Sequence, residues 1–173
     1  MFAKGDLVFY GSTGVCQVQE VDVLPFASGQ QEGTLYYWLK PVYEGGLIYA
    51  PVDGPAFIRP VLTPREVDEL IQKMPTLDSS EYTSHNLKLM VDRYRSAMKE
   101  HRCESLLRMM KGAYRRSQQS IQNGRKPGQM DTDYRKKAEK LIYGEFAVVL
   151  GIPYQEVPQY IEEHLPPSPT PLP

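Results

Sequence analysis

The chain has few of the residues that build covalent cross-links or metal sites. It contains two cysteines, Cys16 and Cys103, which fall in different predicted domains and lack the spacing of metal ligands. Its three histidines are scattered, with no H-x-x-x-H or H-E-x-x-H pair among them. We therefore predict no metal site and no disulfide bond, and two reduced, partly buried thiols instead.

Long apolar runs are absent as well. No stretch approaches the roughly eighteen consecutive apolar residues of a membrane span. Residues 1–6 lack the apolar core of a secretory signal. A composition with 41% hydrophobic and 24% charged residues is that of an ordinary globular protein. We expect a cytoplasmic protein that does not associate with a membrane.

Catalytic motifs are missing too. The sequence contains no G-x-S-x-G turn, no phosphate-binding G-x-x-x-x-G-K-[ST] loop and no G-x-G-x-x-G. Cys16 has no activating partner near it in the sequence, so a structural thiol is favoured over a nucleophile. The sequence predicts a binding protein without a cofactor. An enzyme would require a cleft with converging polar groups, which no motif in the sequence indicates.

The net charge of −1 conceals a strong asymmetry. Residues 1–62 contain three basic and six acidic residues, a net charge of −3. Residues 85–126 contain eleven basic and three acidic residues, a net charge of +8. A field of this kind favours a polyanionic partner. The alternative is that these basic side chains are only the solvated faces of surface helices.

The N-terminal third has the pattern of short strands. Residues 2–18 form two β-rich runs around Gly11-Ser12-Thr13-Gly14, which predicts a hairpin, and residues 35–43 and 46–52 predict a second one. Pro60 argues against a central position for the extended run that contains it. Several short strands in about sixty residues, with no helical period among them, favour a small β-barrel.

A series of helices is predicted to follow. Thr63, Pro64 and Glu66 have the form of a capping box at the start of the first helix, which Pro75 ends. The second helix has an apolar face, predicted to be core, that consists of Leu87, Val91, Tyr94 and Met98. Its adjoining basic face, predicted to be exposed, consists of Lys88, Arg95, Lys99 and Arg102.

The third helix, predicted at residues 104–121, repeats this arrangement. Its core face is predicted to consist of Leu106, Leu107, Met110, Ala113, Tyr114 and Ile121. Its outer face is predicted to carry Arg108, Lys111 and Arg115. The loop at residues 122–128 places Arg125 and Lys126 at the surface, and Asp131 is predicted to cap the helix that follows.

The fourth helix is the most apolar, and we expect it at the centre of a helical bundle. Its apolar stripe consists of Ala138, Leu141, Ile142, Phe146, Val149 and Leu150. A last short helix is predicted at residues 156–164. The resulting fold class is α+β: a small β-barrel at residues 1–62, an all-α bundle of about five helices at residues 63–165, and a disordered proline-rich tail at residues 166–173.

The N-terminal pattern resembles that of a known family. The residues that carry it are Phe2, Lys4, Gly5, Asp6, Val8, Tyr10, Gly14 and Val15, then Tyr36, Leu39, Ile48 and Pro51. In the helical half, Arg93-Tyr94-Arg95 and the apolar stretch with Glu145 are similar as well. In this order the motifs resemble the CarD/CdnL family of bacterial transcription regulators over nearly everything up to about Leu165.

The resemblance implies a Tudor/SH3-like β-barrel that docks on the β subunit of bacterial RNA polymerase by sheet-to-sheet contact. It also implies a helical module that lies against promoter DNA at the upstream edge of the transcription bubble and stabilises the open complex. The family's docking strand matches Leu47, Ile48, Tyr49 and Ala50. Two of these four residues are expected to fill the barrel core, because side chains alternate along a strand.

For DNA, basic side chains are expected to bind phosphates without reading sequence. Arg93 and Arg95 match basic positions of the family, and Arg135, Lys136 or Lys137 lies near another. Charge and spacing in this chain add Lys88, Lys99, Arg125 and Lys126.

One position departs from the family pattern. Three residues before Arg93, where the family usually has a tryptophan that wedges into the minor groove, this chain has Met90. Methionine can act as an apolar wedge, although it stacks less well than an indole. The alternative is that Met90 packs inside the bundle beside Leu87 and Tyr94.

These observations predict a non-enzymatic, monomeric regulator. It would bind polymerase through the barrel and promoter DNA through the basic helical face, and would modulate the stability of the open complex. The main alternative is an adaptor that keeps polymerase docking without wedge activity on DNA. A DNA affinity that falls steeply with salt distinguishes the first from the second.

Overall fold

The computed structural model describes residues 1–26, 28–29 and 32–167. These residues form two compact units, which we call the sheet unit (Met1–Val61) and the helical unit (from Leu62). The α+β class predicted from the sequence is confirmed, since strands occupy the first unit and five helices the second. Of the tail predicted to be disordered, residues 168–173 lie outside the described residues.

The sheet unit contains five antiparallel strands. They are β1 (Leu7–Tyr10), β2 (Gly14–Val23), β3 (Leu35–Pro41), β4 (Ile48–Pro51) and β5 (Ile58–Pro60). Their order in the sheet is β4-β3-β2-β1-β5, so that β4 and β5 are its edges within the described residues. Pro60 therefore lies on an edge strand, where a missing N–H is tolerated.

Alternation of side chains along the strands builds the core of this unit. Its centre is a cluster of buried residues from β1 to β4, namely Val8, Cys16, Val18, Tyr37, Leu39 and Ala50. The pairing of β2 with β3 shifts between Val18 and Glu20. An extra residue of this kind bends a strand and increases its twist, which lets a small sheet curl around its own core.

The helical unit contains five α-helices, and the connection between the first two includes two short 3-10 helices, Met74–Thr76 and Ser80–Tyr82. The α-helices are α1 (Pro64–Lys73), α2 (Leu87–Glu100), α3 (Cys103–Gln122), α4 (Gln129–Leu150) and α5 (Val157–His164). The predicted capping box of α1 is present: Glu66 N–H donates to Thr63 Oγ1 at 3.2 Å, and Thr63 N–H donates to the Glu66 carboxylate at 2.7 Å. Asn86, which the sequence analysis did not single out, caps α2 by accepting the Leu89 N–H.

Helix α4 carries the largest number of buried residues in this unit. They are Asp131, Ala138, Leu141, Ile142, Gly144, Glu145, Phe146 and Ala147. The central position predicted for this helix is consistent with its packing against α1, α2, α3 and α5. Gly151 ends it in the left-handed conformation, with φ of 66°.

Three predicted core residues lie at the surface instead. Leu87 is 63% exposed, Tyr114 52% and Ile121 51%. Helix α2 buries Met90, Tyr94 and Ala97, a face displaced from the predicted one by a fraction of a turn. When a helix has apolar residues on more than one side, its sequence does not show which side is buried, because that depends on the elements packed against it.

Helix α3 packs tightly against the turn that precedes α2. A Cβ added to Gly112 would lie 2.4 Å from the Cβ of Tyr82, so only glycine fits there. The Tyr82 ring in turn stacks on Tyr94, with centroids 5.5 Å apart and planes 16° from parallel. Gly112 thus allows a tyrosine pair to pack between two helices.

Candidate binding surfaces

Strand β4 presents an open edge. It pairs with β3 through Ile48 to Pro51, and no strand of the described chain lies on its other side. Of the four residues predicted to bind polymerase, Leu47 and Tyr49 are exposed by 39% and 36%. Ala50 is buried, and Ile48 is partly buried against the same core. The two outward side chains and the free backbone groups are therefore what β4 offers a partner.

Tyr49 belongs to a group of aromatic side chains that we call the aromatic cluster (Phe26, Trp38 and Tyr49). The Tyr49 ring contacts Phe26 at 5.6 Å and Trp38 at 5.5 Å between centroids, both nearly perpendicular. Phe26 is 66% exposed. Edge-to-face packing fixes the rings against one another and leaves aromatic surface beside the open edge. Phe26 lies in an irregular segment, and no sequence pattern pointed to it.

The surroundings of β4 carry negative charge. Glu44 precedes the strand and Asp53 follows it, and residues 41–58 contain no lysine or arginine. In the row of paired residues that contains Tyr49, Trp38 lies between Tyr49 and Glu20. The Lys4 ammonium, 3.0 Å from the Glu20 carboxylate, holds the pKa of Glu20 below its usual value.

In the helical unit, a buried polar network joins three helices. The Tyr94 hydroxyl of α2 donates to the Asp131 carboxylate of α4 at 2.6 Å. Arg116 of α3 donates to the same oxygen at 2.9 Å and also to the Ser84 carbonyl. Burial raises the pKa of Tyr94, and the Asp131 carboxylate raises it further. Asp131 was predicted to cap α4, but this helix begins at Gln129, and Asp131 is a buried partner of Arg116 instead.

Several other basic residues of this unit also hold the bundle together. Lys111 Nζ donates to the carbonyls of Met74, Pro75 and Leu77, at 3.3, 2.8 and 2.8 Å. Lys111 is therefore only partly exposed at its predicted outer position, and its ammonium group closes the turn after α1. Burial, aided by Arg115, lowers the pKa of Lys111.

Three more arginines have partners within the unit. Arg108 pairs with Glu104 at 2.7 Å. Arg115 donates to Ser79 Oγ at 3.2 Å. Arg93 donates to the Glu81 carbonyl, so this predicted DNA-binding residue is engaged in the structure.

A second set of basic residues is exposed and makes no ion pair in the part of the chain that the structure describes. Six of them, which we call the basic surface residues, are Lys88, Arg95, Lys99, Arg125, Lys126 and Lys136. All six were predicted from the sequence as DNA contacts. Lys137, which was weighed with them, is exposed and lies 5.1 Å from the centre of the Tyr134 ring. Roughly half of the positive charge between residues 85 and 126 is thus available at the surface.

A small polar cavity connects two parts of this surface. It has a volume of about 100 Å³ and is lined by His85, just before α2, and by Arg125, in the loop between α3 and α4. Arg116 and Asp131 also line it. The start of α2 and the loop with Arg125 and Lys126 are therefore neighbours, although about forty residues separate them in the sequence.

The structure places the remaining two predicted DNA contacts less favourably. Met90 is completely buried, which is the packing alternative that the sequence left open. Arg135 is partly buried and lies 3.4 Å from the carboxylate of Glu139. Leu87 and Leu89, on either side of Lys88, are the exposed apolar residues at the start of α2, at 63% and 38%. In this conformation an apolar contact from α2 is available from these leucines and not from Met90.

The helical unit also has an apolar groove with a volume of about 730 Å³. Tyr114 and Tyr143 line it, together with Met110 and Leu165. Its presence accounts for the exposure of Tyr114, which the sequence placed in the core.

Neither thiol is placed for nucleophilic chemistry. Cys16 and Cys103 are both buried and unbridged. Burial and the nearby Glu44 carboxylate raise the pKa of the Cys16 thiol to about 11, so that it is protonated near neutral pH. Among residues 1–26, 28–29 and 32–167, no three His, Cys, Asp or Glu side chains are grouped so as to hold a metal ion. Over the same residues, no helix has the length and apolar content needed to cross a membrane.

Comparison with known proteins identifies the first unit. Residues 2–62 match the family model of the CarD-like/TRCF RID domain. No curated protein matches the chain. A domain of this family is a non-enzymatic interaction domain with a Tudor-like fold, and it binds RNA polymerase. The sheet unit of this chain therefore belongs to the CarD-like/TRCF RID domain family, which confirms the resemblance to CarD-like proteins that the N-terminal motifs predicted.

Proposed function

We propose that this protein is a transcription regulator that binds the β subunit of RNA polymerase through β4 and promoter DNA through the basic surface residues, and so modulates the lifetime of the open complex. The observation that carries the proposal is the open edge of β4 in a domain of the polymerase-binding family. The exposed positive charge of the second unit supports the part that concerns DNA.

Docking on polymerase follows from the chemistry of a sheet edge. The unpaired N–H and C=O groups of β4 are satisfied when a strand of the partner extends the sheet. Leu47 and Tyr49, which point outward, then contact alternate side chains of that strand. The buried Ala50 contributes only its backbone, since its methyl group belongs to the core.

Binding to DNA follows from the exposed positive charges of the basic surface residues, which make no ion pair among the described residues. Each basic surface residue that neutralises a phosphate releases counterions, so affinity falls steeply as salt increases. The basic side chains of α2 line up at Lys88, Arg95 and Lys99, a spacing that keeps them near one side of the helix. Contacts of this kind position a protein on DNA without reading its sequence.

Leu87 takes the wedge role that the family resemblance suggested for position 90. An apolar wedge has to be exposed before it meets a base step, and Leu87 meets this condition one turn before the buried Met90. Because Lys88 follows directly, a phosphate contact and an apolar contact lie side by side at the start of α2.

The DNA contact is tested by measuring affinity for a forked promoter fragment between 50 and 300 mM salt. We expect the combined variant Lys88→Gln/Arg95→Gln/Lys99→Gln to lose affinity at least tenfold at low salt, with a shallower salt dependence. The control Lys4→Gln/Lys40→Gln removes two charges from the sheet unit and should leave both quantities unchanged. Equal DNA affinity of the triple variant and the wild type would contradict this part of the proposal.

The effect on transcription is tested by the lifetime of the open complex with cognate polymerase. We expect the protein to change this lifetime and Leu87→Ala to reduce the change. Met90→Ala removes a buried side chain, so its effect should appear as lost stability of the helical unit.

An adaptor without wedge activity remains the second candidate, because Met90 is buried. That reading predicts intact polymerase binding with an unchanged open-complex lifetime and little affinity for DNA. The same two experiments therefore separate the candidates.

A further inference from the structure

We propose that the segment that pairs with β4 carries an arginine or lysine opposite Tyr49, and that the aromatic cluster holds this cationic side chain. The inference rests on the proposed docking through β4, and it adds the chemical identity of the side chain that the sheet unit selects. It comes from the rings and charges that border the open edge.

The geometry of an added strand determines what Tyr49 meets. Side chains of paired residues on one face of a sheet have Cβ atoms about 5 Å apart. Tyr49 points outward from the edge strand and is 36% exposed. The side chain of a residue paired with Tyr49 would therefore lie beside the Tyr49 ring, which packs against Phe26 with 5.6 Å between the ring centroids.

The rings of the aromatic cluster are fixed against one another beside β4. Tyr49 is held between Phe26 and Trp38 by two nearly perpendicular contacts, at 80° and 84°. These contacts hold the three rings in place, and the face of an aromatic ring is electron-rich. A guanidinium or ammonium group is attracted to such a face within about 6 Å of its centre.

The charges around β4 favour the same partner. Glu44 precedes the strand and Asp53 follows it, and residues 41–58 contain no lysine or arginine. The nearest lysine on β3 is Lys40. It follows Leu39, the residue that pairs with Ile48, and is itself paired with Gln17 on the other side of β3. An acidic side chain at the paired position would face aromatic rings and neighbouring carboxylates, whereas a basic one is attracted by both.

The first test uses the full-length chain and two peptides that differ in one residue. The peptides are Thr-Val-Thr-Arg-Thr-Val-Thr and Thr-Val-Thr-Glu-Thr-Val-Thr, capped at both ends. Binding is followed by the fluorescence of Trp38, the only tryptophan of the chain, which contacts Tyr49. We expect the arginine peptide to bind at least tenfold more tightly, with a preference that shrinks at 300 mM salt. Equal binding, or a preference for the glutamate peptide, would overturn the inference.

The second test uses cognate RNA polymerase and variants of the edge. We expect Tyr49→Phe to keep the affinity of the wild type, since it retains a ring face, and Tyr49→Leu to lose about tenfold. Asp53→Lys should also weaken binding and flatten its salt dependence. The control Asp6→Lys reverses an acidic charge just before β1, which is separated from β4 by two strands.

The two tests distinguish the possible failures. If polymerase does not bind but the arginine peptide does, the proposed function is wrong and the inference about β4 stands. If polymerase binds and the Tyr49→Leu and Asp53→Lys variants behave as the wild type, docking occurs without the cationic contact, and the inference is wrong.

Discussion

The two units of this protein use charged residues in opposite ways. The core of the sheet unit is a cluster of apolar residues, and its charged side chains stay at the periphery. The helical unit buries Asp131 and Glu145 and uses Arg116 and Lys111 to join its helices. The comparison shows that the net charge of a segment indicates a binding surface only where its charged side chains are not already paired inside the fold. In the helical unit, the basic residues have to be sorted by their partners first.

The largest effect should come from breaking the buried network of the helical unit. Asp131→Asn leaves the Arg116 guanidinium without its carboxylate, and we expect a loss of about 3 kcal/mol in the free energy of unfolding. Far-UV circular dichroism in denaturant follows the helices. Asp133→Asn, at an exposed position two residues away, is the matched control and should cost less than about 0.5 kcal/mol. Equal stability of the two variants would mean that the network contributes little.

Gly112→Ala should have the next largest effect on the helical unit. The new methyl group would overlap the Tyr82 side chain, and we expect a net loss of about 2 kcal/mol despite the helix propensity of alanine. The measurement is again denaturant unfolding. Gln119→Ala, at an exposed position on the same helix, is the control and should be neutral. A stabilised Gly112→Ala variant would show that Tyr82 moves away at little cost.

The sheet unit should respond to alkaline pH through Cys16. Burial raises the pKa of this thiol in the folded chain from 9.0 to about 11. The unfolded chain therefore loses the proton first, and stability that is present below pH 9 falls as the pH rises towards 11. The loss approaches about 3 kcal/mol for a shift of two units. Trp38 fluorescence reports this unit alone, and in Cys16→Ala this part of the pH dependence should disappear.

The smallest effect on stability should come from the basic surface residues. Lys88→Gln, Arg95→Gln and Lys99→Gln remove exposed charges that make no ion pair among the described residues, so the free energy of unfolding should change by less than about 0.5 kcal/mol each. Arg116→Gln is the informative contrast, since the same loss of one charge should cost several-fold more. If the variants at exposed positions also unfold the bundle, the division of charges into structural and available sets is wrong.

The sequence predicted the strands and the helices well because their signals are local. Glycine turns and alternating side chains indicated both hairpins, and Thr63 with Glu66 indicated the start of α1. The sequence predicted the buried faces of the helices less well. Apolar residues on a second side of α2 and α3 meant that the pattern alone did not show whether Leu87 and Tyr114 would be buried. The partners of Lys111 come from residues 34 to 37 positions earlier in the chain, and no periodicity reports such a contact.

Of the candidate sites, the edge strand was the more predictable. The resemblance pointed to Leu47–Ala50, three of which lie in β4, and Ile48 and Ala50 turn inward as alternation along a strand requires. The aromatic cluster escaped prediction because Phe26 comes from an irregular segment. The burial of Met90 was open until the packing of α2 against α3 and α4 was known.

The buried carboxylate of Glu145 affects how this chain can be divided. It accepts the Leu62 N–H at 2.9 Å and lies 3.4 Å from Cys103 Sγ. The first amide of the helical unit is thus anchored inside the bundle, although it lies only one residue after the end of the sheet unit. A fragment that begins at Thr63 would lose that anchor, whereas one that keeps Val61 and Leu62 retains it. Limited proteolysis should accordingly spare this junction and cut the chain elsewhere.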